Sequence, residues 1–205
     1  MEAMGLSNVR KDEILVDGRP LAPRAEAVYI LLNKPRGYVS TLSDERGRRT
    51  VAELVADCGS RVYPVGRLDL DTEGLLLITN DGDLAHRLLS PKKHVDKVYY
   101  ARCRGTVREG AAEEFARGIR LPDGLLCLPA ELTVLSYDRI QDESEIRLRI
   151  REGKFHQVKR MMEAVGCPVL FLKRLSMGPL VLDENLKPGE YRPLTDTERE
   201  WLEQL

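Results

Sequence analysis

The stretch that most constrains this chain is Val65 to Gly82, VGRLDLDTEGLLLITNDG. Its second half, Leu75-Leu76-Leu77-Ile78-Thr79, is continuously apolar and ends at the turn signal Asn80-Asp81-Gly82. An apolar run of this length bounded by turn residues reads as a buried strand. A shorter run (Val62, Pro64, Val65) precedes Gly66. Between the two lies the polar loop Arg67-Leu68-Asp69-Leu70-Asp71-Thr72-Glu73-Gly74. The loop therefore hangs between two strands of the core, with Arg67 two residues before Asp69 and both half-buried. A carboxylate in that position must be paired or hydrogen-bonded, because burial alone disfavours its charge. The other reading is an acid-rich surface turn, and spacing alone leaves both open.

Patterning elsewhere predicts strands interspersed with short helices. Ala27–Asn33 is apolar and β-prone, and Lys34-Pro35-Arg36-Gly37 follows it as two cations on a turn. Thr50 is placed to cap a helix over Val51–Ala56. Asp83–Leu89 and Glu109–Gly118 have helical spacing, while Lys97–Val107 and Ala130–Ser136 are β-rich. In Glu145–Ile150, Ile146, Leu148 and Ile150 alternate with Arg147, Arg149 and Arg151, which predicts one core face and one cationic face. A helix is expected over Phe155–Val165, a strand over Cys167–Leu175, a short segment at Tyr191–Leu194, and a last helix from Thr195, with Glu198 at capping-box spacing. Strands in sequential pairs with short helices imply an α+β fold with a mixed, mainly antiparallel sheet.

Composition excludes several classes. The chain of 205 residues carries a formal net charge of −1, which implies no bulk attraction to nucleic acid. The four cysteines are scattered with no C-x-x-C, and the three histidines form no ligand cluster with them, so neither a disulfide framework nor a metal site is expected. No apolar run approaches a membrane span, and no signal-peptide pattern opens the chain, so a cytoplasmic protein is expected. Charge is nevertheless segregated. Arg147 to Arg174 holds eight cations opposed by Glu152 and Glu163, and Lys92, Lys93, Lys97, Arg102 and Arg104 form a second cluster. Such segregation can present a basic groove to phosphates, although solvated strand and helix faces would look alike in sequence.

Four motifs stand in order: Asn33-Lys34-Pro35-Arg36-Gly37; Gly66-Arg67-Leu68-Asp69 with Thr72 to Gly82; Lys97-Val98-Tyr99; and Glu152-Gly153-Lys154-Phe155-His156-Gln157-Val158-Lys159-Arg160-Met161. Together they resemble the pseudouridine synthases of the RsuA/RluB/RluE/RluF ribosomal RNA branch. The resemblance implies a sheet in two halves, flanked by short helices, with a central catalytic cleft. It also implies a cofactor-free isomerisation in which the base of uridine leaves C1′ through N1 and returns through C5. By that resemblance Asp69 is the catalytic aspartate, either attacking C1′ or taking the C2′ proton. Lys154 is the basic residue paired with it, Arg67 fills the stack vacated by the flipped base, Tyr99 stacks on that base, and Val158 packs against it. Tyr99 rather than Tyr100 is expected to face the cleft, since neighbours on a strand point to opposite sides. His156 is expected to be structural and Asp71 a loop cap. Phosphate contacts are assigned to Lys34, Arg36, Lys159, Arg160, Lys173 and Arg174.

The expected partner is ribosomal RNA or a pre-ribosomal particle, bound by a monomer with no membrane and no cofactor. Residues 27–205 are expected to be the catalytic domain. Residues 1–26, with a short strand and turn at Glu13–Pro20, read as a linker or the remnant of an N-terminal S4 region, so the chain is either a member naturally without that domain or a shortened one. Two rivals remain at this point. An assembly protein on the same fold would tolerate loss of Asp69, and all the site residues are present. A hydrolase using Asp69 and Asp71 would have carboxylates too close together to admit a sugar between them.

Overall fold

Leu75, Leu76, Leu77 and Ile78 are all buried within the strand Glu73–Thr79. In this computed structural model the described residues are 26–205, preceded only by the backbone of a small ladder between Leu15–Val16 (β1) and Arg19–Pro20 (β2). Apart from that ladder, the expected N-terminal linker and its boundary near residue 26 lie outside the described residues.

The main sheet has nine strands: Tyr29–Lys34 (β3), Tyr63–Pro64 (β4), Glu73–Thr79 (β5), Lys97–Arg104 (β6), Glu131–Asp138 (β7), Glu143–Ile150 (β8), Val169–Met177 (β9), Leu180–Val181 (β10) and Tyr191–Pro193 (β11). The order is β11-β3-β5-β9-β6-β8-β7, with β4 on β5 and β10 on β9. Every pairing is antiparallel except β5 with β9, where only Glu73↔Lys173 and Gly74↔Arg174 are partnered. The sheet is thus α+β in class, mainly antiparallel, and built as two halves joined at one short parallel seam. At that seam Gly74 has φ +109°, and a β-carbon there would lie 2.2 Å from the Arg174 carbonyl oxygen. Only a glycine allows the two halves to approach so closely.

The unbroken apolar run of β5 follows from burial on both faces. Leu75 and Leu77 meet Leu31, Leu84, Leu88 and Leu202 on one side, which the helices Gly82–Leu89 (α2) and Asp196–Glu203 (α5) supply in part. Leu76 and Ile78 meet Ile30, Leu32, Val51 and Val55 on the other. The short helix Val51–Leu54 (α1) stops earlier than Ala56, and a tight turn over Ala56–Cys58 leads to Gly59 in the left-handed region. The strand expected before the loop is only two residues long, and Pro64 in it has no N–H to extend the ladder.

In the second half Ile146, Leu148 and Ile150 are buried while Arg147, Arg149 and Arg151 are exposed, as the alternation predicts. The helices Ala111–Arg117 (α3) and Gln157–Ala164 (α4) contribute to the core on that buried side. Val158, Met161, Met162 and Val165 form the apolar stripe of α4, which leaves Lys159 and Arg160 only partly buried. Among the described residues, no helix is long and apolar enough to cross a membrane.

Candidate active site

The loop between β4 and β5 is held from inside by Lys34. Lys34 ends β3 with no exposed surface, and its Nζ donates to the carbonyl oxygens of Thr72 at 2.7 Å, Asp69 at 3.0 Å, Pro35 at 3.1 Å and Leu70 at 3.5 Å. The Gly37 N–H also donates to the Leu70 carbonyl at 2.8 Å. On the next residues, Ser40 Oγ accepts from the Leu68 N–H at 3.0 Å and donates to the Leu68 carbonyl at 2.9 Å. The motif Lys34 to Gly37 therefore shapes the loop's backbone. Burial pushes the Lys34 amine down to about 8, against the opposing pull of Asp71 and Asp69.

With the Asp69 carbonyl turned inward, its carboxylate stands in the cleft at 34% exposure. Two groups from the neighbourhood of α4 reach it. Lys159 Nζ lies 3.3 Å from Asp69 Oδ2, and His156 Nε2 lies 3.4 Å from Asp69 Oδ1. Lys159 also bonds Asp71 Oδ1 at 2.6 Å, so one ammonium bridges both loop carboxylates. Burial raises the Asp71 carboxyl, but the hydrogen bond and charge of Lys159, with smaller help from the backbone and Arg36, together leave it below the ordinary range. His156 holds φ +48° and stacks on the Phe155 ring at 3.8 Å. The turn before α4 is fixed by Gln157, which is 3% exposed, accepts from the Lys154 N–H at 3.0 Å and donates to Glu152 at 2.8 Å.

The cleft itself has a volume of about 410 Å³ and lies where the two half-sheets meet. Its floor and walls include Tyr99, Lys97, Val158, Leu172 and Arg174, with Arg67 and Lys154 also lining it. The ladder explains this convergence. Tyr99 is partnered by Leu148 on one side and Arg174 on the other, so all three point to one face. Tyr100 points to the opposite face, where its hydroxyl donates to Glu145 and its ring packs edge-on against Phe171.

Several residues expected at the site are elsewhere or differently engaged. Lys154 is exposed and makes no ion pair among the described residues; Lys159 stands beside Asp69 in its place. The reason is that Lys154 sits in the turn before the helix, whereas Lys159 is in the first turn of α4 and faces the loop. Lys34 and Arg174 are too buried to reach a phosphate, at 0% and 3% exposure. Lys173 alternates to the face of β9 away from the cleft. Arg160 is tied to Asp123 and to the Phe155 carbonyl at 3.1 Å. Arg36 is exposed beside Asp71 but does not line the cleft. His156 and Asp71, read as merely structural, both belong to the Asp69 cluster. Residue spacing carried no signal that distinguishes Lys154 from Lys159, because both stand in one polar segment and only the helix start orients them.

Among the described residues, no group of three or more His, Cys, Asp or Glu side chains is arranged to hold a metal ion. What the arrangement offers is a carboxylate beside one ammonium and one imidazole, in a cleft lined by a tyrosine.

The sequence matches the RNA pseudouridylate synthase family over residues 28–164. It is 42% identical over 195 residues to the ribosomal large subunit pseudouridine synthase B of Bacillus subtilis, covering 95% of this chain and 79% of that protein. It is 41% identical over 187 residues to the ribosomal small subunit pseudouridine synthase A of Escherichia coli, covering 91% and 78% respectively. A crystal structure of a pseudouridylate synthase superposes with a TM-score of 0.77 at 40% identity, over 86% of this chain and 74% of that one.

Proposed function

The chain belongs to the RNA pseudouridylate synthase family, and from that membership we infer that it isomerises uridine to pseudouridine in ribosomal RNA, with the Asp69 carboxylate acting at C1′. The observation that carries the assignment to Asp69 is its pairing with Lys159 at 3.3 Å inside the cleft. A carboxylate that does chemistry at a sugar carbon must remain ionised and fixed in place. The Lys159 ammonium stands 3.3 Å from Asp69 Oδ2, and the Lys34 cage fixes the backbone from which the carboxylate projects. Either nucleophilic attack on C1′ or removal of the C2′ proton is open to a carboxylate so placed.

Around this centre, position supports the other roles. Tyr99 offers its ring to the flipped base from the floor, and Val158 and Leu172 offer apolar contact. Arg67 is exposed at the cleft and has no ion-pair partner among the described residues, so its flat guanidinium is available to fill the vacated stack. Flipping costs a few kcal/mol, which contacts of this kind must recover. The substrate is ribosomal RNA, free or within an assembling subunit, and residues 27–205 act as a monomeric catalytic unit.

The test is tritium release. RNA transcribed with uridine tritiated at C5 loses the label to water only if the base is reattached through C5. Release with pseudouridine in the product is the expected result. Liberated uracil without C–C bond formation points to a glycosidase, and binding without any release points to an assembly factor; either result overturns the assignment.

A further inference from the structure

Two cations lie in the cleft with no part in the roles above. Arg174 is 3% exposed; its Nε donates to the Leu75 carbonyl at 2.9 Å, and its Nη2 is buried without a partner. Lys97 opens β6 two residues before Tyr99 and lines the same cleft. Its Nζ has the Val95 carbonyl at 3.4 Å, and a methyl group placed on Gly153 would come within 4.0 Å of it. Neither side chain forms an ion pair among the described residues, although Arg160, Arg192 and Lys159 all do. Burial first, and then the Arg174 charge, hold the Lys97 amine below its ordinary range.

A buried guanidinium beside a half-buried ammonium is unfavourable, and the arrangement becomes favourable when negative charge arrives. A phosphate at the cleft rim does not meet this need, because Arg174 lies beneath the surface and Lys97 is half-buried within the cleft. The isomerisation itself supplies the charge. When the C1′–N1 bond breaks, its electron pair departs with the uracil and spreads over N1, O2 and O4. We propose that Lys97 is a further catalytic residue that hydrogen-bonds a carbonyl oxygen of the detached uracil, with the Arg174 charge behind it, holding the base as an anion while it turns. No bond forms to either cation. The electron pair returns as the new C1′–C5 bond, the C5 proton is lost to solvent and N1 takes one up from it, so the product is an isomer of the substrate. A fixed cation aimed at charge that develops only during reaction accelerates the chemical step without tightening ground-state binding.

This inference rests on the pseudouridine synthase reading, and the experiment separates the two. Lys97→Met and Lys97→Arg, in the full chain, are compared with wild type on a C5-tritiated ribosomal RNA fragment. Single-turnover rate is measured at saturating enzyme, and RNA Kd is measured across a salt series. Lys97→Met should slow the single turnover by about 100-fold, the usual effect of removing one such donor. Its Kd and salt slope should stay as in wild type, and Lys97→Arg should recover much of the rate. Lys97→Gln carries the same expectation if the methionine variant does not fold. A wild-type rate for the neutral variant overturns the proposal, and so does a lost rate that arginine fails to restore. A weaker Kd with a salt slope flatter by about one unit overturns it too, making Lys97 a phosphate contact. If wild type itself forms no pseudouridine, it is the underlying reading that fails.

Discussion

Lys34 donates to the carbonyl oxygen of Thr72 at 2.7 Å from a position with no solvent exposure. A surface cation in sequence is therefore an internal clamp in the fold, and it sets the backbone on which Asp69 sits. Lys34→Met keeps the chain length and removes the donors, leaving the carbonyls of Pro35, Asp69, Leu70 and Thr72 without this partner. The Leu70 carbonyl keeps the Gly37 N–H and the Asp69 carbonyl keeps the Thr72 N–H, so those of Pro35 and Thr72 are left, and at roughly 1–3 kcal/mol for each buried unsatisfied group the loss should be at least about 2 kcal/mol, read as a lower urea midpoint. The pH dependence has a definite sign. Burial holds the folded-state amine at about 8, below its ordinary 10.5. Between those values the unfolded chain binds more protons, so this group's share of stability rises with pH, by at most about 1.4 kcal/mol per unit. The rise should be absent from Lys34→Met. A wild-type midpoint in the variant would show that the loop is held without Lys34.

Asp69→Asn is nearly isosteric and should fold and bind RNA, yet form no pseudouridine. Lys159→Met should keep the fold and lose at least about tenfold in turnover, since it strips the cation from both Asp69 and Asp71. Pseudouridine formation by pure Asp69→Asn at a rate near wild type would remove Asp69 from the mechanism.

Tyr99 and Tyr100 should separate cleanly. Tyr99→Phe is expected to cut turnover with little change in melting temperature, because its ring remains in the cleft. Tyr100→Phe loses the hydrogen bond to Glu145 and should cost about 1 kcal/mol of stability, with turnover unchanged. The reverse pattern would place the working hydroxyl on the other face of β6.

Lys154 and Arg67 both line the cleft without ion pairs among the described residues, but their expected roles differ. Lys154→Met should weaken RNA binding and flatten its salt dependence by about one unit of slope, as loss of one phosphate contact does. Arg67→Ala should leave the slope alone and slow turnover on structured RNA more than on unstructured RNA. Equal slope changes in the two variants would make Arg67 another phosphate contact.

Gly74→Ala tests the seam between the half-sheets. Its β-carbon would fall 2.2 Å from the Arg174 carbonyl oxygen, at a φ that side chains rarely adopt. Strain of about 1–3 kcal/mol from the backbone and a similar amount from the clash should lower stability by roughly 3 kcal/mol or more. Gly37→Ala is the control: its φ is +84°, but no atom lies within 4 Å of the added carbon, so only the backbone strain should register. Similar melting temperatures for the two variants would mean the seam yields easily.

Local pattern determined the elements. The apolar run at Leu75–Thr79, the alternation at Ile146–Ile150, the stripe Val158–Met161–Met162–Val165 and the Thr195–Glu198 cap each specify a strand, a helix or a helix start over a few residues. Asp69 and Tyr99 are marked by the resemblance of their motifs to a known family, whereas spacing alone leaves the Asp69 loop open between a core loop and a surface turn. Tertiary structure alone decided which cations serve them. Lys34, Lys154, Lys159, Arg160, Lys173 and Arg174 look alike as charges in a string. Folding buries Lys34 against four carbonyls, turns Lys159 onto Asp69, ties Arg160 to Asp123, and sets Lys173 and Arg174 on opposite faces of one strand. A long flexible side chain has a reach but no fixed direction, and its partner is chosen by segments up to 99 residues away, as with Arg174 and the Leu75 carbonyl.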